Sequence, residues 1–414
     1  MKHSIILSIA LCVPTTFIAQ TNSGDLEAYI GTYIGSIPGS SGDDFQAPSS
    51  AQLSSWSNMI DALFVDDLTS SRLIADSLNY QIVEYTDTQM GELHYVLEEK
   101  TSRINYWGMF VFNAAPCRSG LVLQAPHPKF DFNTGKEAAF CYARLSARAL
   151  FISGTHRCNH SGFSTCDGST SVCQGTSSSY QESDNAHTVQ SVFQQSTAVV
   201  NSSISNAVFI QLHGFSKLAT DPYVIMSNGT RDTPTVDYVD LIKSGLSTAD
   251  PTLTFEIAHV NLSWTRLIAF TNTQGRLLNQ SSDPCDTHLD ISTGKFVHIE
   301  QEKTKLRDDS TGWYKVYSAL SDVFICDTST AGLLYPAQNE LLVFPNPIAS
   351  QELTVRGDGV IGYKLIDARG KLIASEEYIE ISEIKIDFKE LESGVYFARI
   401  STKLGNNIYR IVKQ

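Results

Sequence analysis

Apolar residues along the first 339 positions follow two rhythms. Segments 51–63 and 70–78 repeat them at helical spacing, whereas 106–113, 120–124, 149–152, 207–212, 252–257 and 295–299 are short apolar runs that end on polar residues. Runs this short suit buried strands better than helices. Strands interleaved with helical stretches predict an α/β fold, a mixed sheet flanked by helices. Ligands of such sheets collect beyond the carboxyl ends of the strands. From residue 340 the rhythm quickens. Segments 352–356, 363–367, 371–375, 384–388, 395–401 and 407–412 alternate apolar and polar, divided by turns such as Gly357-Asp358-Gly359 and Gly405-Asn406. This texture predicts a small all-β sandwich over 340–414, after a larger α/β domain over 20–339.

Charge narrows the partners. The net charge of −14 falls on 20–339, where 19 basic residues meet 33 acidic ones. A surface that acidic repels polyanions, which excludes nucleic acid and anionic lipid as main partners. Residues 1–19 read as a signal peptide, with Lys2 before an apolar stretch and small residues leading to a cut after Ala19. Cys12 follows the bulky Leu11, so no lipid anchor is expected. No other stretch approaches the roughly 18 uninterrupted apolar residues of a membrane span, so no transmembrane segment is expected.

Removing that segment leaves seven cysteines: Cys117, Cys141, Cys158, Cys166, Cys173, Cys285 and Cys326. Export permits disulfides, and the odd count leaves at least one thiol unpaired. A local bridge is expected among Cys158, Cys166 and Cys173, which share a loop rich in Gly, Ser and Thr. The lack of a Cys-x-x-Cys pair argues against a zinc knuckle there.

The candidate chemistry sits just past the apolar runs. His127 follows 120–124, Asp131 stands four residues later, and His213 follows 207–212. Two imidazoles and a carboxylate are donors that hold zinc and leave a fourth position to water. Glu137 is a second acid in the same segment and keeps the third ligand open, while His156 and His187 are alternative ligands. Arg157 and Arg276 lie among small polar residues, a setting suited to a substrate carboxylate or carbonyl oxygen. Asp184-Asn185-Ala186-His187 precedes a helical run at 189–195 and either caps it through Asp184 or places His187 in the cleft. No Gly-x-Ser-x-Gly elbow occurs, which removes the usual serine hydrolase.

Taken with Phe296-Val297-His298-Ile299-Glu300 as a late strand, these motifs resemble the zinc carboxypeptidase superfamily in its amidohydrolase branches. Those branches are the N-formylglutamate amidohydrolases and the phage-type poly-γ-glutamate hydrolases. The resemblance spans residues 105–310 as a series of short motifs. It implies zinc on His127, Asp131 and His213, Glu300 as general base, and a small peptide or acyl-amino-acid substrate. The chain departs from the peptidases in reading His-x-x-x-Asp for His-x-x-Glu, so Asp131 and Glu137 both stay open as the acidic ligand. The short spacing from His127 to His213 favours the compact amidohydrolase branches.

Phe344-Pro345-Asn346-Pro347, Leu365-Ile366-Asp367 with Gly370-Lys371, and Leu391-Glu392-Ser393-Gly394-Val395-Tyr396-Phe397 resemble the type A C-terminal sorting domain of the Bacteroidetes type IX secretion system. That resemblance implies an Ig-like sandwich, export through the periplasm and outer membrane, and the secretion machinery as a partner. The expectation is a secreted zinc-dependent hydrolase that cleaves an amide or peptide bond next to a carboxylate-bearing amino acid. The other reading is a non-catalytic secreted or cell-surface binding protein that keeps the fold.

Overall fold

The computed structural model describes residues 20–327, 341–348, 351–367, 371–402 and 405–414. The expected signal peptide and the expected boundary at 339 lie outside these residues. The chain opens with β1 (Gln20–Gly24), α1 (Leu26–Gly35), α2 (Ser50–Phe64) and α3 (Leu68–Ser77). There follow β2 (Tyr80–Asp87), β3 (Glu92–Glu99), β4 (Gly108–Asn113), β5 (Arg118–Ala125), α4 (Thr134–Leu145) and β6 (Ala147–Ser153). Next come α5 (Val192–Ser203), β7 (Val208–Phe215), β8 (Val224–Ser227), α6 (Tyr238–Ala249), β9 (Phe255–Ile257) and α7 (Thr273–Leu278). The unit ends with β10 (Phe296–Glu302), a π-helical turn at Lys303–Arg307, and α8 (Ser310–Val323).

The ten strands form one sheet in the order β1-β2-β3-β4-β6-β5-β7-β10-β8-β9. Its middle strands β6, β5, β7 and β10 run parallel, and antiparallel neighbours flank them. Strand alternation separates two cores. Leu123, Ile210, Leu212, Val297 and Ile299 pack with residues of α1, α4, α6 and α8 on one face. Val122, Phe209 and Phe296 pack with residues of α2, α3, α5 and α7 on the other. Helix α2 shows why these segments are helical. Ser49 and Gln52 close a capping box, and Trp56, Met59, Ile60 and Leu63 form the buried stripe. Trp56 meets Tyr80 and Phe110 edge-on at 4.9 and 5.0 Å and donates its indole N–H to Ser196.

Three disulfides join Cys117 to Cys326, Cys158 to Cys173 and Cys166 to Cys285, and Cys141 is a buried free thiol. The local bridge is therefore Cys158–Cys173, while Cys166 reaches across 119 residues.

The C-terminal part is all β: β11 (Leu342–Phe344), β12 (Glu352–Asp367), β13 (Leu372–Asp387), β14 (Gly394–Thr402) and β15 (Gly405–Lys413). All its ladders are antiparallel. The expected strands 352–356 and 363–367 are two halves of β12, joined through register shifts between Arg356 and Gly362. Segments 371–375 and 384–388 are likewise halves of β13. The expected sandwich is thus realised as one five-stranded sheet with a core of Leu353, Val355, Val360, Leu365, Ile386, Phe388 and Ile400.

Candidate metal centre

The carboxyl ends of β6, β5, β7 and β10 deliver the expected residues to one place. His127 lies just past β5, and the chain there closes a single helical turn, with Asp131 N–H donating to the His127 carbonyl at 2.9 Å. That turn puts side chains four apart on one side, which is how His-x-x-x-Asp converges. Asp131 Oδ2 lies 3.2 Å from His127 Nδ1 and 3.3 Å from His213 Nδ1. Asn133 then takes a left-handed conformation at φ 64°, tolerable for asparagine, to start α4.

His213 and Glu300 are register partners on the parallel strands β7 and β10, as are Gln211 and His298. All four side chains therefore share the face that carries Phe209 and Phe296 deeper in the sheet. His127, Asp131 and His213 can converge on one cation, their ligand atoms lying within 4.8 Å of one another, and His213, His298 and Glu300 form a second such set. All five side chains are buried, between 1% and 6% exposed.

Each ring is oriented by what its other nitrogen meets. His127 Nε2 donates to Asp184 Oδ1 at 2.8 Å. Arg157 holds the second oxygen of Asp184, with Nε at 2.8 Å and Nη2 at 2.5 Å. A carboxylate behind an imidazole is the usual means of aiming a metal-binding nitrogen. His213 Nε2 meets Gln211 Oε1 at 2.8 Å.

Electrostatics follow from burial. Burial raises the Glu300 carboxyl, the charge on Asp131 adds to this, and together they push it up to about 8. Its Oε2 is buried without a hydrogen-bond partner. Burial also resists charge on Asp131, but His127 and His213 outweigh it and hold the carboxyl well below its usual range. Burial and Arg157 pull His127 down, and the carboxylates of Asp184 and Asp131 outweigh both to raise it. His213 is pushed down to about 4 by burial, and burial with the neighbouring His213 pushes His298 down further.

The other expected residues fall elsewhere. Glu137 lies beneath the sheet on α4, where it accepts from Gln301 Nε2 at 2.9 Å, and burial pushes it up to about 8. It stands outside both ligand sets. His156 accepts the Cys158 N–H and meets Phe130 edge-on. His187 stacks on Tyr180 at 3.6 Å and bonds the Thr271 carbonyl. Arg276, expected to bind substrate, is instead a structural tie. Arg276 is 3% exposed and binds Asp167 and the carbonyls of Phe270 and Cys285, tying two loops together. Asp184 is no helix cap, since Ser191 caps α5 and Asp184 holds His127 and Arg157.

Sequence reading missed His298, Gln211 and Arg307. The first two carried a signal: each stands two residues before a candidate residue, on the same strand face, inside an apolar run. Arg307 donates to the carbonyls of Gln301, Phe132 and Phe215 and so clamps three segments behind the site. Its guanidinium occupies the space a Cβ at position 214 would need, which explains the glycine after His213.

Residues 342–414 match the secretion system C-terminal sorting domain. The tail is a sorting domain. It marks the protein for secretion or the cell surface, and no helix among the described residues is long and apolar enough to cross a membrane. No curated protein matches the chain. Among solved structures, it is similar to the CBM51-2 and INT domains of Clostridium perfringens ZmpB, at 13% identity and a TM-score of 0.14, covering 16% of each chain. It is also similar to N-formylglutamate amidohydrolase from Ralstonia eutropha, at 10% identity and a TM-score of 0.30, covering 52% of this chain and 95% of that one.

Proposed function

We propose that the α/β region is a secreted zinc-dependent hydrolase that cleaves an amide or peptide bond next to a carboxylate-bearing amino acid. One observation carries this: His127, Asp131 and His213 aim ligand atoms at one buried point beside Glu300, whose Oε2 has no partner. The donor set fits zinc, which takes imidazole nitrogen and carboxylate oxygen in sites that keep a position open. Zinc held there would polarise a carbonyl and lower the pKa of a bound water to about 7. Glu300, buried beside the ligand atoms with no partner for Oε2, is the residue that would, in its ionised form, take a proton from the attacking water and pass it to the leaving nitrogen. Asp184 keeps His127 aimed. Arg157 donates Nε and Nη2 to Asp184, while Nη1 lies 3.5 Å from His127 Nδ1 and is the group that would meet a substrate oxygen.

The enclosure of the ligand atoms favours a second reading, a non-catalytic surface binding protein with a structural metal. A panel of acyl-amino acids, γ-glutamyl polymers and short peptides, assayed with zinc-loaded protein, separates the two. The hydrolase reading expects turnover that falls about 10²–10⁴-fold in Glu300→Gln while zinc stays bound. Zinc binding without turnover of any amide supports the binding protein, and full activity in Glu300→Gln removes it as the base.

A further inference from the structure

We infer that a buried network of side-chain amides centred on Gln211 fixes the tautomer of His213 and leaves Nδ1 as its metal-facing lone pair. The consequence for metal binding rests on the function proposed above; the tautomer itself does not. An amide side chain has an accepting oxygen and a donating nitrogen, and electron density seldom tells them apart. Backbone groups carry no such ambiguity, so a chain of amides that ends on backbone is oriented along its length.

Three branches end in that way. Gln274 donates Nε2 to the Asn185 carbonyl at 2.8 Å, so its Oε1 is the end that accepts from Gln211 Nε2 at 3.1 Å. Thr197 donates its hydroxyl to the Phe193 carbonyl at 3.0 Å and therefore accepts from Gln124 Nε2 at 2.8 Å. Gln124 then presents Oε1 to Gln211 Nε2 at 3.0 Å. Asn272, the cap of α7, accepts the Gly275 N–H on Oδ1 at 2.8 Å, so its Nδ2 donates to Gln211 Oε1 at 2.6 Å.

All three branches turn the nitrogen of Gln211 toward Gln124 and Gln274 and its oxygen toward Asn272. That oxygen is 2.8 Å from His213 Nε2, which must carry the proton. In the neutral ring the lone pair is then on His213 Nδ1, which faces Asp131 Oδ2 at 3.3 Å. Each amide in the relay is buried, so reversing any one of them leaves donors facing donors or acceptors facing acceptors away from water, where such a mismatch is costly. A ring with a single lone pair cannot bridge the two ligand sets that share His213. His213 therefore serves a single metal ion, and Gln211 and Gln274 are positioning residues for it.

The test uses the full chain labelled with ¹⁵N-histidine. Two-bond ¹⁵N–¹H correlations on the metal-free protein report the His213 tautomer, and competition with a chromophoric chelator reports zinc affinity. The expected tautomer carries its proton on Nε2. Gln211→Met should weaken zinc binding about 10–100-fold, the usual cost of losing such a partner, and Gln211→Glu, which restores the accepting oxygen but sets a second one against the oxygens of Gln124 and Gln274, should recover it only in part. Gln274→Met touches neither the ring nor a ligand, yet it should let a measurable share of His213 move its proton to Nδ1. A merely structural role would lower stability in these variants without changing the tautomer. If Gln211→Met does not fold, the near-isosteric Gln211→Glu and the remote Gln274→Met still decide. Unchanged tautomer and zinc affinity in the variants would overturn the inference. So would zinc binding by a wild-type chain whose His213 is protonated on Nδ1, with the metal reading intact. The Nε2-protonated tautomer in a chain that binds no zinc would overturn the metal reading and leave the relay standing.

Discussion

Gly214→Ala isolates the clamp behind the site. A methyl group at position 214 overlaps the Arg307 guanidinium at Cζ, Nε and Nη1. That head cannot slide aside freely, because it donates to Gln301 O at 3.0 Å, Phe132 O at 2.7 Å and Phe215 O at 3.3 Å. Moving it breaks at least two of these bonds. Each bond to a charged group contributes about 1.5–3 kcal/mol, and a buried charge left without partners costs about 3–5 kcal/mol. Gly214→Ala should therefore lower the unfolding free energy by about 3–5 kcal/mol. Phe132 follows Asp131, and Gln301 follows Glu300, so the same displacement should weaken zinc binding. Denaturant unfolding with a chelator titration measures both. The clamp also predicts a coupling: in an Arg307→Met background, Gly214→Ala should cost far less, because the obstructing head is gone. A shift below about 1 kcal/mol in the single variant, or full additivity in the double, would refute this reasoning.

Two further perturbations test assignments changed by the fold. Arg276→Ala should lower stability by about 2–3 kcal/mol through its lost loop contacts and leave KM unchanged; a KM rise without loss of stability would return Arg276 to the substrate. Glu137 has a folded pKa of about 8, raised by burial, so the native state holds a proton that the unfolded chain releases near its ordinary carboxylate range. Stability should therefore be fully present below that range and fall as pH rises towards about 8, by at most about 1.4 kcal/mol per unit. Glu300 carries a like shift and slope, so Glu137→Gln should remove about half of the fall, as read from urea midpoints between pH 5 and 8; an unchanged slope would rule out Glu137 as a source.

The strands β4, β5, β6, β7, β9 and β10 were legible as short apolar runs, and those that build the site end at the polar residues that matter; β1, with its exposed polar sequence, and β2, β3 and β8 were not. Helices α2 and α3 were legible because each has a polar side. Helix α4 was not, since ten of its twelve residues are buried and no period survives. The continuity of β12 was hidden because Gly357-Asp358-Gly359 reads as a turn between strands, yet the chain keeps its pairing with β13 through the register shifts. At the site, residue types singled out His127, Asp131 and His213, the family resemblance added Glu300, and the fold brings the four together. The partners that aim them were beyond sequence reading. Asp184 lies 57 residues from His127, and glutamines such as Gln124 and Gln211 acquire meaning only once the register sets them side by side.

The most direct test of the metal centre is zinc content, measured by elemental analysis on the full chain after dialysis against a weak chelator. The account expects about one zinc per chain, lost in His127→Ala and in His213→Ala but retained in Glu300→Gln. A wild-type chain without zinc, or zinc retained in both histidine variants, would contradict it.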